Sequence, residues 1–125
     1  MNNKQFRFQD LDVWKHAAEF SIELFRMADS LETKRLFRFA EQLRSATLSI
    51  TNNIAEGSGS TSKFDFANFL NIARRSTFEV ANILFLLGNQ APLSGFDLPR
   101  ILSKLEQESR MLLGFIRTLR AAHSK

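Results

Sequence analysis

The sequence contains no cysteine, only two prolines and only five glycines in 125 residues. The lack of cysteine excludes disulfide frameworks and cysteine-ligated metal sites, and it fits a reducing compartment. No apolar run is long enough to span a bilayer, because the densest one, Ala81 to Leu87, is interrupted by Asn82. The first residues also lack the apolar run of a signal peptide. We therefore expect a cytoplasmic protein with no membrane partner.

Alternation of period two is missing as well, so strands are not expected. Apolar residues instead recur at three- and four-residue spacing in four segments, and glycine clusters separate several of them. The predicted helices cover residues 10–31, 34–56, 62–88 and 97–122 of a single domain, residues 1–125. Four amphipathic helices of this length predict an all-α fold, an antiparallel up-down-up-down four-helix bundle.

Short local signals set the expected ends of these helices. Ser62, with Asp65 three residues later, forms a capping-box-like start for the third helix, and Asp97 suits the cap of the fourth. Gly57 is expected to end the second helix in a left-handed conformation. The Gly- and Ser-rich stretch that follows lacks the Gly-x4-Gly-Lys-Ser/Thr spacing of a phosphate-binding loop. We interpret it as a C-cap joined to an N-cap.

Thirteen phenylalanines are many for one small bundle, and the apolar helix faces are wider than such a bundle needs. Large exposed apolar patches are uncommon on monomers, so part of this surface is expected between subunits. The alternative is a well-filled monomer core. We favour a homo-oligomer.

Groups that could perform catalysis are scarce. Di-iron bundles use Glu-x-x-His pairs, but this chain has two histidines, His16 and His123, and His16-x-x-Glu19 reverses the order. There is no Gly-x-Ser-x-Gly elbow and no thiol nucleophile. We therefore predict no catalytic residue, no metal site and no cofactor, and a protein that is not an enzyme.

Polar residues follow one face of the second helix and continue at matching spacing on the third. They could form a polar binding groove or a hydrogen-bonded network that fixes helix register or a subunit contact, and we favour the network. Glu56 meets the negative end of its helix dipole, so we expect it to find a donor in Arg44, in Arg74 or on a neighbouring subunit. The predicted network comprises Gln42, Ser49, Asn53, Glu56, Ser76 and Glu79.

The net charge of +4 lies entirely on residues 100–125, which hold six basic and two acidic groups, whereas residues 1–99 hold eleven of each. This helix could contact phosphates, or it could be a solvated face with Glu106 and Glu108 nearby. Repetition of the charges around an oligomer axis would favour nucleic acid. The candidate nucleic-acid-binding residues are Arg35, Arg38, Arg44, Arg110, Arg117 and Arg120.

Several motifs resemble a known family. The segment Phe8–Trp14 resembles the "F-x-x-L-x-V-W" opening of the four-helix-bundle proteins encoded in intervening sequences of 23S rRNA genes. Gln42–Arg44 and the run Asn-Ile-Ala-Glu-Gly at 53–57 resemble the family's central signature, which residues 66–73 extend. The resemblance spans residues 6–120, and accessory proteins of diversity-generating retroelements are similar.

The resemblance implies an antiparallel bundle that assembles as a ring-like homopentamer without established enzymatic activity. In the retroelement branch, the ring is a basic scaffold that binds RNA and a reverse transcriptase. In this chain, Ser45 stands where a second arginine is common and Arg75 where glycine is common. From the resemblance as a whole, we expect a scaffold that binds RNA, DNA or a nucleic-acid enzyme such as a reverse transcriptase. The alternative is a protein–protein adaptor that uses Phe64, Phe78 and Phe85.

Overall fold

Four α-helices form the chain, and the computed structural model describes residues 5–88 and 91–124, with the backbone alone at positions 91, 123 and 124. The side chain of His123 thus lies outside the described part of the chain. No strand occurs in the described residues, so the all-α prediction is confirmed. The helices are α1 (Asp12–Thr33), α2 (Phe37–Ser58), α3 (Lys63–Leu87) and α4 (Leu98–Ser124), with short 3-10 helices at Arg7–Asp10 and Ala91–Leu93.

Side-chain caps fix the starts of α3 and α4 where the sequence predicts them. The Asp65 N–H donates to Ser62 Oγ at 3.0 Å, and the Arg100 N–H donates to Asp97 Oδ1 at 3.2 Å. Each cap satisfies one of the backbone donors that the first turn of a helix leaves without an intrahelical partner. Both predicted caps are therefore confirmed.

The turn between α1 and α2 explains why α2 begins three residues later than predicted. Arg35 adopts a left-handed conformation, with φ at 64°. Its N–H donates to the carbonyl of Glu32, and the Leu36 N–H donates to that of Leu31, both at 2.9 Å. This pair of bonds is the Schellman motif, which ends a helix and reverses the chain. Because glycine usually occupies the left-handed position, an arginine there gives no sequence signal.

The prediction that Gly57 is a left-handed cap is wrong. The α2 helix continues through Gly57 to Ser58, and Gly59 follows as the C-cap. A Cβ atom at position 57 would lie 2.7 Å from Phe69 Cβ and 2.9 Å from Phe66 Cδ1. Glycine is therefore used here for its missing side chain, which lets α2 approach α3 closely.

The core is a continuous apolar cluster to which all four helices contribute. The α1–α2, α2–α3 and α3–α4 pairs pack extensively, whereas the contact between α1 and α4 (the α1–α4 seam) is the thinnest of the four. The largest fully buried side chains are Phe66, Leu24, Met27, Leu31, Leu43, Ile50, Ile54, Leu70, Leu84, Leu93, Ile101 and Leu105.

Large apolar side chains also lie on the outside. None of the helices in the described ranges is long and apolar enough to cross a membrane. Ten large apolar side chains are at least 40% exposed to solvent. They are Phe6, Ile22, Phe37, Phe39, Leu48, Phe64, Ile72, Phe78, Phe85 and Leu86.

Candidate nucleic-acid interface

Arg35 and Arg38 lie at the α1–α2 turn, and both side chains are exposed. Arg35 is the left-handed residue of the Schellman motif, and Arg38 is the second residue of α2. A left-handed conformation costs an L-residue roughly 1–2 kcal/mol, so an arginine is an unfavourable choice at position 35 unless its side chain is useful. Neither arginine forms an ion pair within the part of the chain that the structure describes.

Arg44 instead connects α2 to α1. Its Nη2 donates to Asp29 Oδ1 at 2.7 Å, and its Nη1 donates to Glu32 Oε1 at 2.6 Å. The hydrogen bonds to Asp29 and then Glu32 raise the pKa of Arg44 further above its ordinary value. Two carboxylates thus neutralise this guanidinium, which makes it the weakest of the six candidates for a phosphate contact.

The arginines of α4 also differ in whether an acidic side chain pairs with them. Arg110 lies 3.3 Å from Glu106 one turn earlier, in a pair whose side chains are both mostly exposed. Arg100 forms an ion pair with Glu23 across the α1–α4 seam. Arg117 and Arg120 are exposed in the last turns of α4. Unlike Arg100 and Arg110, Arg117 makes no ion pair among the described residues.

Three of the six predicted network residues come together between α2 and α3. Ser76 Oγ donates to Ser49 Oγ at 2.7 Å, and Asn53 Nδ2 donates to Ser49 Oγ at 3.0 Å and to the Ser49 carbonyl at 2.7 Å. Gln42, Glu56 and Glu79 are exposed and lie outside this set. The hydrogen bond between the two serines links α2 and α3 in one register, as a structural network would.

Glu56 does not meet the donors proposed for it within the chain. Arg44 is held by Asp29 and Glu32, as described above. Arg74 Nε donates to the carbonyl of Ser109 on α4 at 3.2 Å, and its guanidinium lies 5.1 Å from the centre of the Phe78 ring. The intrachain interpretation of Glu56 is therefore wrong, because both arginines face other elements. A donor on a second copy stays a prediction.

A groove of about 690 Å³ runs between α3 and α4. Phe78 and Phe85 line it and are 57% and 70% exposed, and Leu102 and Leu105 lie on its α4 side. Its rim carries Glu106. Phe64, the third aromatic residue singled out from the sequence, is half exposed near the start of α3 and does not line the groove.

A buried acid on α4 is the main functional group that the sequence analysis missed. Glu108 was interpreted as part of a solvated face, but it is fully buried, and its Oε1 lies 2.8 Å from His16 Nδ1 on α1. Burial raises the pKa of Glu108 to about 8. Burial, and then the charge of Lys104, lower the pKa of His16. The missed signal is position: Glu108 falls within the apolar stripe of α4, between Leu105 and Leu112.

No cluster of three or more His, Cys, Asp or Glu side chains that could hold a metal ion occurs in the described part of the chain. His16, considered above only as a metal ligand, has its Nδ1 atom committed to Glu108. The ring also packs edge-on against Phe20, with ring centres 5.3 Å apart. Its surroundings are thus those of a core side chain.

The sequence motifs have clear structural roles. The Phe8 and Trp14 rings of the opening motif pack 5.1 Å apart, and Gly57 ends the central motif where α2 and α3 approach closely. No curated protein matches the sequence. The sequence profile of the 23S rRNA-intervening sequence protein family matches residues 9–114, which include the central motif and the opening motif except for Phe8. The chain therefore belongs to the 23S rRNA-intervening sequence protein family.

Proposed function

We propose that this protein is a non-enzymatic, self-associating helical scaffold that binds nucleic acid or a nucleoprotein partner through exposed arginines. The observation that carries the proposal is the division among its arginines. Arg44 and Arg110 contact acidic side chains, whereas Arg35, Arg38 and Arg117 are exposed and make no ion pair among the described residues. Arginines of this kind provide the sequence-independent phosphate contacts of a nucleic-acid-binding protein.

The scaffold in this proposal is an antiparallel up-down-up-down bundle. Across α3 and α4, Arg74 contacts Ser109, and Phe66 packs against Phe115 with ring centres 5.1 Å apart. Residue numbers therefore fall along α3 as they rise along α4. The two contacts across the α1–α4 seam, Glu23 with Arg100 and His16 with Glu108, show the same opposite order. This order supports opposite helix directions at both interfaces.

Self-association is supported by the exposed apolar side chains. Ten large apolar side chains are at least 40% exposed, from Phe39 at 40% to Phe85 at 70%. Contact between copies would remove part of this surface from water, and we propose the homopentamer that the family resemblance implies. Light scattering on the purified protein tests this, because a single species near the monomer mass of 14.3 kDa at micromolar concentration would contradict it.

The binding test compares two pairs of arginines at different places in the fold. Replacing Arg35 and Arg38 by Gln, or Arg117 and Arg120 by Gln, removes two positive charges each. Each lost phosphate contact should reduce the slope of log K against log salt by about 0.7 for single-stranded RNA. Binding of a fluorescent RNA to nuclease-treated protein is measured from low to physiological salt. The matched control, Arg44→Gln, removes a guanidinium that is already paired and should leave the slope unchanged.

Two results would remove the nucleic-acid proposal. One is affinity for RNA that stays constant between low and physiological salt, because phosphate contacts release counterions and depend on salt. The other is the absence of any RNA binding by an assembled protein. Loss of binding in the Arg44→Gln variant alone would instead show that the paired arginine is the contact residue.

The second candidate function is a protein–protein adaptor, and the α3–α4 groove is the observation that favours it. Phe78 and Phe85 are large apolar anchors of the kind that dominate protein interfaces. Phe85→Ser should abolish capture of a protein partner that survives nuclease and high salt, whereas Phe64→Ser, outside the groove, should not. Equal capture by both variants would show that the groove is not the binding surface.

A further inference from the structure

The His16–Glu108 pair is the only ion-pair-forming contact in the described residues that includes a fully buried carboxyl group. Glu108 Oε1 lies 2.8 Å from His16 Nδ1, and the His16 side chain is 15% exposed. The other two polar atoms of the pair, Glu108 Oε2 and His16 Nε2, are buried without a hydrogen-bond partner among the described residues. The contact with Glu108 is therefore the main polar contact of His16 among the described residues, and the Gln107 side chain adds a weaker one.

The 2.8 Å contact needs one proton between the two facing atoms. Either the Glu108 hydroxyl donates to the imidazole, or the imidazolium N–H donates to the carboxylate, and both forms hold one dissociable proton. Without this proton, the Nδ1–H tautomer of the neutral imidazole can still donate to the carboxylate, but the pair then carries an uncompensated negative charge in the protein interior. With a second proton, an imidazolium would face a neutral acid. Only the state with one proton is both hydrogen-bonded and uncharged overall.

We propose that His16 and Glu108 form a single-proton lock that holds the α1–α4 seam closed and weakens it when the proton is lost in alkaline solution. The seam is the natural place for such a control, because it is the thinnest helix interface of the four. A second polar contact across the seam is the Glu23–Arg100 ion pair, which is partly exposed.

The charged groups around the lock come from both helices of the seam. Lys104 on α4 lowers the pKa of His16, whereas Glu19 on α1 and a hydrogen bond from the imidazolium to Gln107 raise it by smaller amounts. From α3, Arg74 reaches the carbonyl of Ser109, the residue after Glu108. The buried side chains of α2 and α3 are all uncharged. Burial therefore dominates, and it favours the neutral acid next to the neutral imidazole.

Proton counting gives the pH window in which the lock acts. The pKa of Glu108 is raised from 4.5 to about 8 on folding, so its stabilising contribution is complete below pH 4.5 and is lost as pH rises to about 8. The pKa of His16 is lowered from 6.5, which makes folding more favourable as pH rises to 6.5. Between 4.5 and 6.5 the folded and unfolded pair each bind one proton, and the effects cancel. Above 6.5 only the folded pair retains a proton.

The folding equilibrium constant of the wild type should therefore fall by about eightfold between pH 6.5 and 8, because His16 of the unfolded chain is half protonated at 6.5 and Glu108 of the folded chain is half ionised at 8. Glu108→Gln is the test variant, because its amide N–H can donate to His16 but does not titrate. Urea unfolding of the wild type and of Glu108→Gln is compared at pH 6.5 and 8. The ratio of their folding constants isolates the titration of Glu108, so we expect it to change by about sixteenfold between these two pH values. All other titratable groups are the same in both proteins, so their effects cancel in this ratio. A ratio that does not change would overturn the proposal.

Two measurements on the wild type keep the proposal testable if Glu108→Gln does not fold. The carboxyl ¹³C shift of Glu108 should titrate near pH 8, and titration near 4.5 would overturn the lock. Amide hydrogen exchange, corrected for its intrinsic pH dependence, should accelerate in α1 and α4 above pH 8 before it does so in α2 and α3. Equal acceleration in all four helices would show that the seam is not the element controlled by the pair.

Discussion

Replacing Gly57 by Ala should destabilise the protein, although alanine is the better helix former. In the middle of a helix, Gly→Ala alone contributes about 1 kcal/mol of stability. At position 57 the added Cβ would lie 2.7 Å from Phe69 Cβ, whereas carbon atoms in contact are normally about 3.5–4.0 Å apart. A Cβ atom moves with its backbone and cannot rotate away. The helices must therefore separate by several tenths of an ångström or more.

The expected magnitude follows from the balance of these two effects. Overpacking a tight core costs about 1–3 kcal/mol, and we take the upper part of that range because the clash involves the α3 backbone. After subtracting the gain in helix propensity, Gly57→Ala should lower the free energy of unfolding by about 1–2 kcal/mol. The matched control is Gly114→Ala, in the exposed middle of α4, where a Cβ has no atom within 4 Å. It should stabilise by up to about 1 kcal/mol.

Urea unfolding followed by circular dichroism at 222 nm measures both effects. The wild type and the two variants are compared at one protein concentration, because self-association makes apparent stability depend on concentration. The predicted difference between the variants is about 2–3 kcal/mol, well above the error of comparing midpoints at constant m-value. If Gly57→Ala were as stable as Gly114→Ala, the close approach of α2 and α3 would not be the reason for glycine at position 57.

Two further changes test local features of the fold. Arg35→Gly should stabilise the protein by about 0.5–1 kcal/mol, since glycine adopts the left-handed conformation without steric cost. The same change removes a proposed phosphate contact and should weaken RNA binding. Equal stability would contradict the strain at position 35, and unchanged RNA affinity would contradict the phosphate contact. Thr47 is fully buried, and its Oγ1 has no hydrogen-bond partner among the described residues. Thr47→Val should therefore stabilise by about 1 kcal/mol in thermal unfolding, and a lower stability would show that the hydroxyl is satisfied.

Features that depend on a few neighbouring residues were predictable from the sequence. The four helices follow from apolar spacing, and the caps at Ser62 and Asp97 follow from residue type three positions before a backbone donor. The predicted position of the boundary between α1 and α2 was less accurate, because Arg35 occupies a position usually taken by glycine. Gly57 shows the converse error, since the same residue type serves turns and close helix packing. Sequence spacing alone does not distinguish these two uses.

The contacts of polar residues were harder to predict from the sequence, because their partners lie on other helices. The stripe on α2 correctly contains Ser49 and Asn53, but only the register against α3 brings Ser76 to them. Residues on the same stripe that face away from α3, such as Glu56, remain exposed. A helical periodicity gives the face on which a residue lies. It does not give the width of the contact, which decides which members of that face are buried.

Glu108 shows how such an error changes the charge available for binding. Counted from the sequence, residues 100–125 carry six basic and two acidic groups. Under the lock proposal Glu108 is neutral at pH 7, so only Glu106 opposes the six basic groups and the segment carries +5 rather than +4. Of these six, Arg100 and Arg110 contact glutamates, which moves the effective positive charge toward Arg117 and the end of α4. Net charge alone therefore does not give the distribution of paired and unpaired arginines along α4, which depends on contacts with other helices and with the preceding turn.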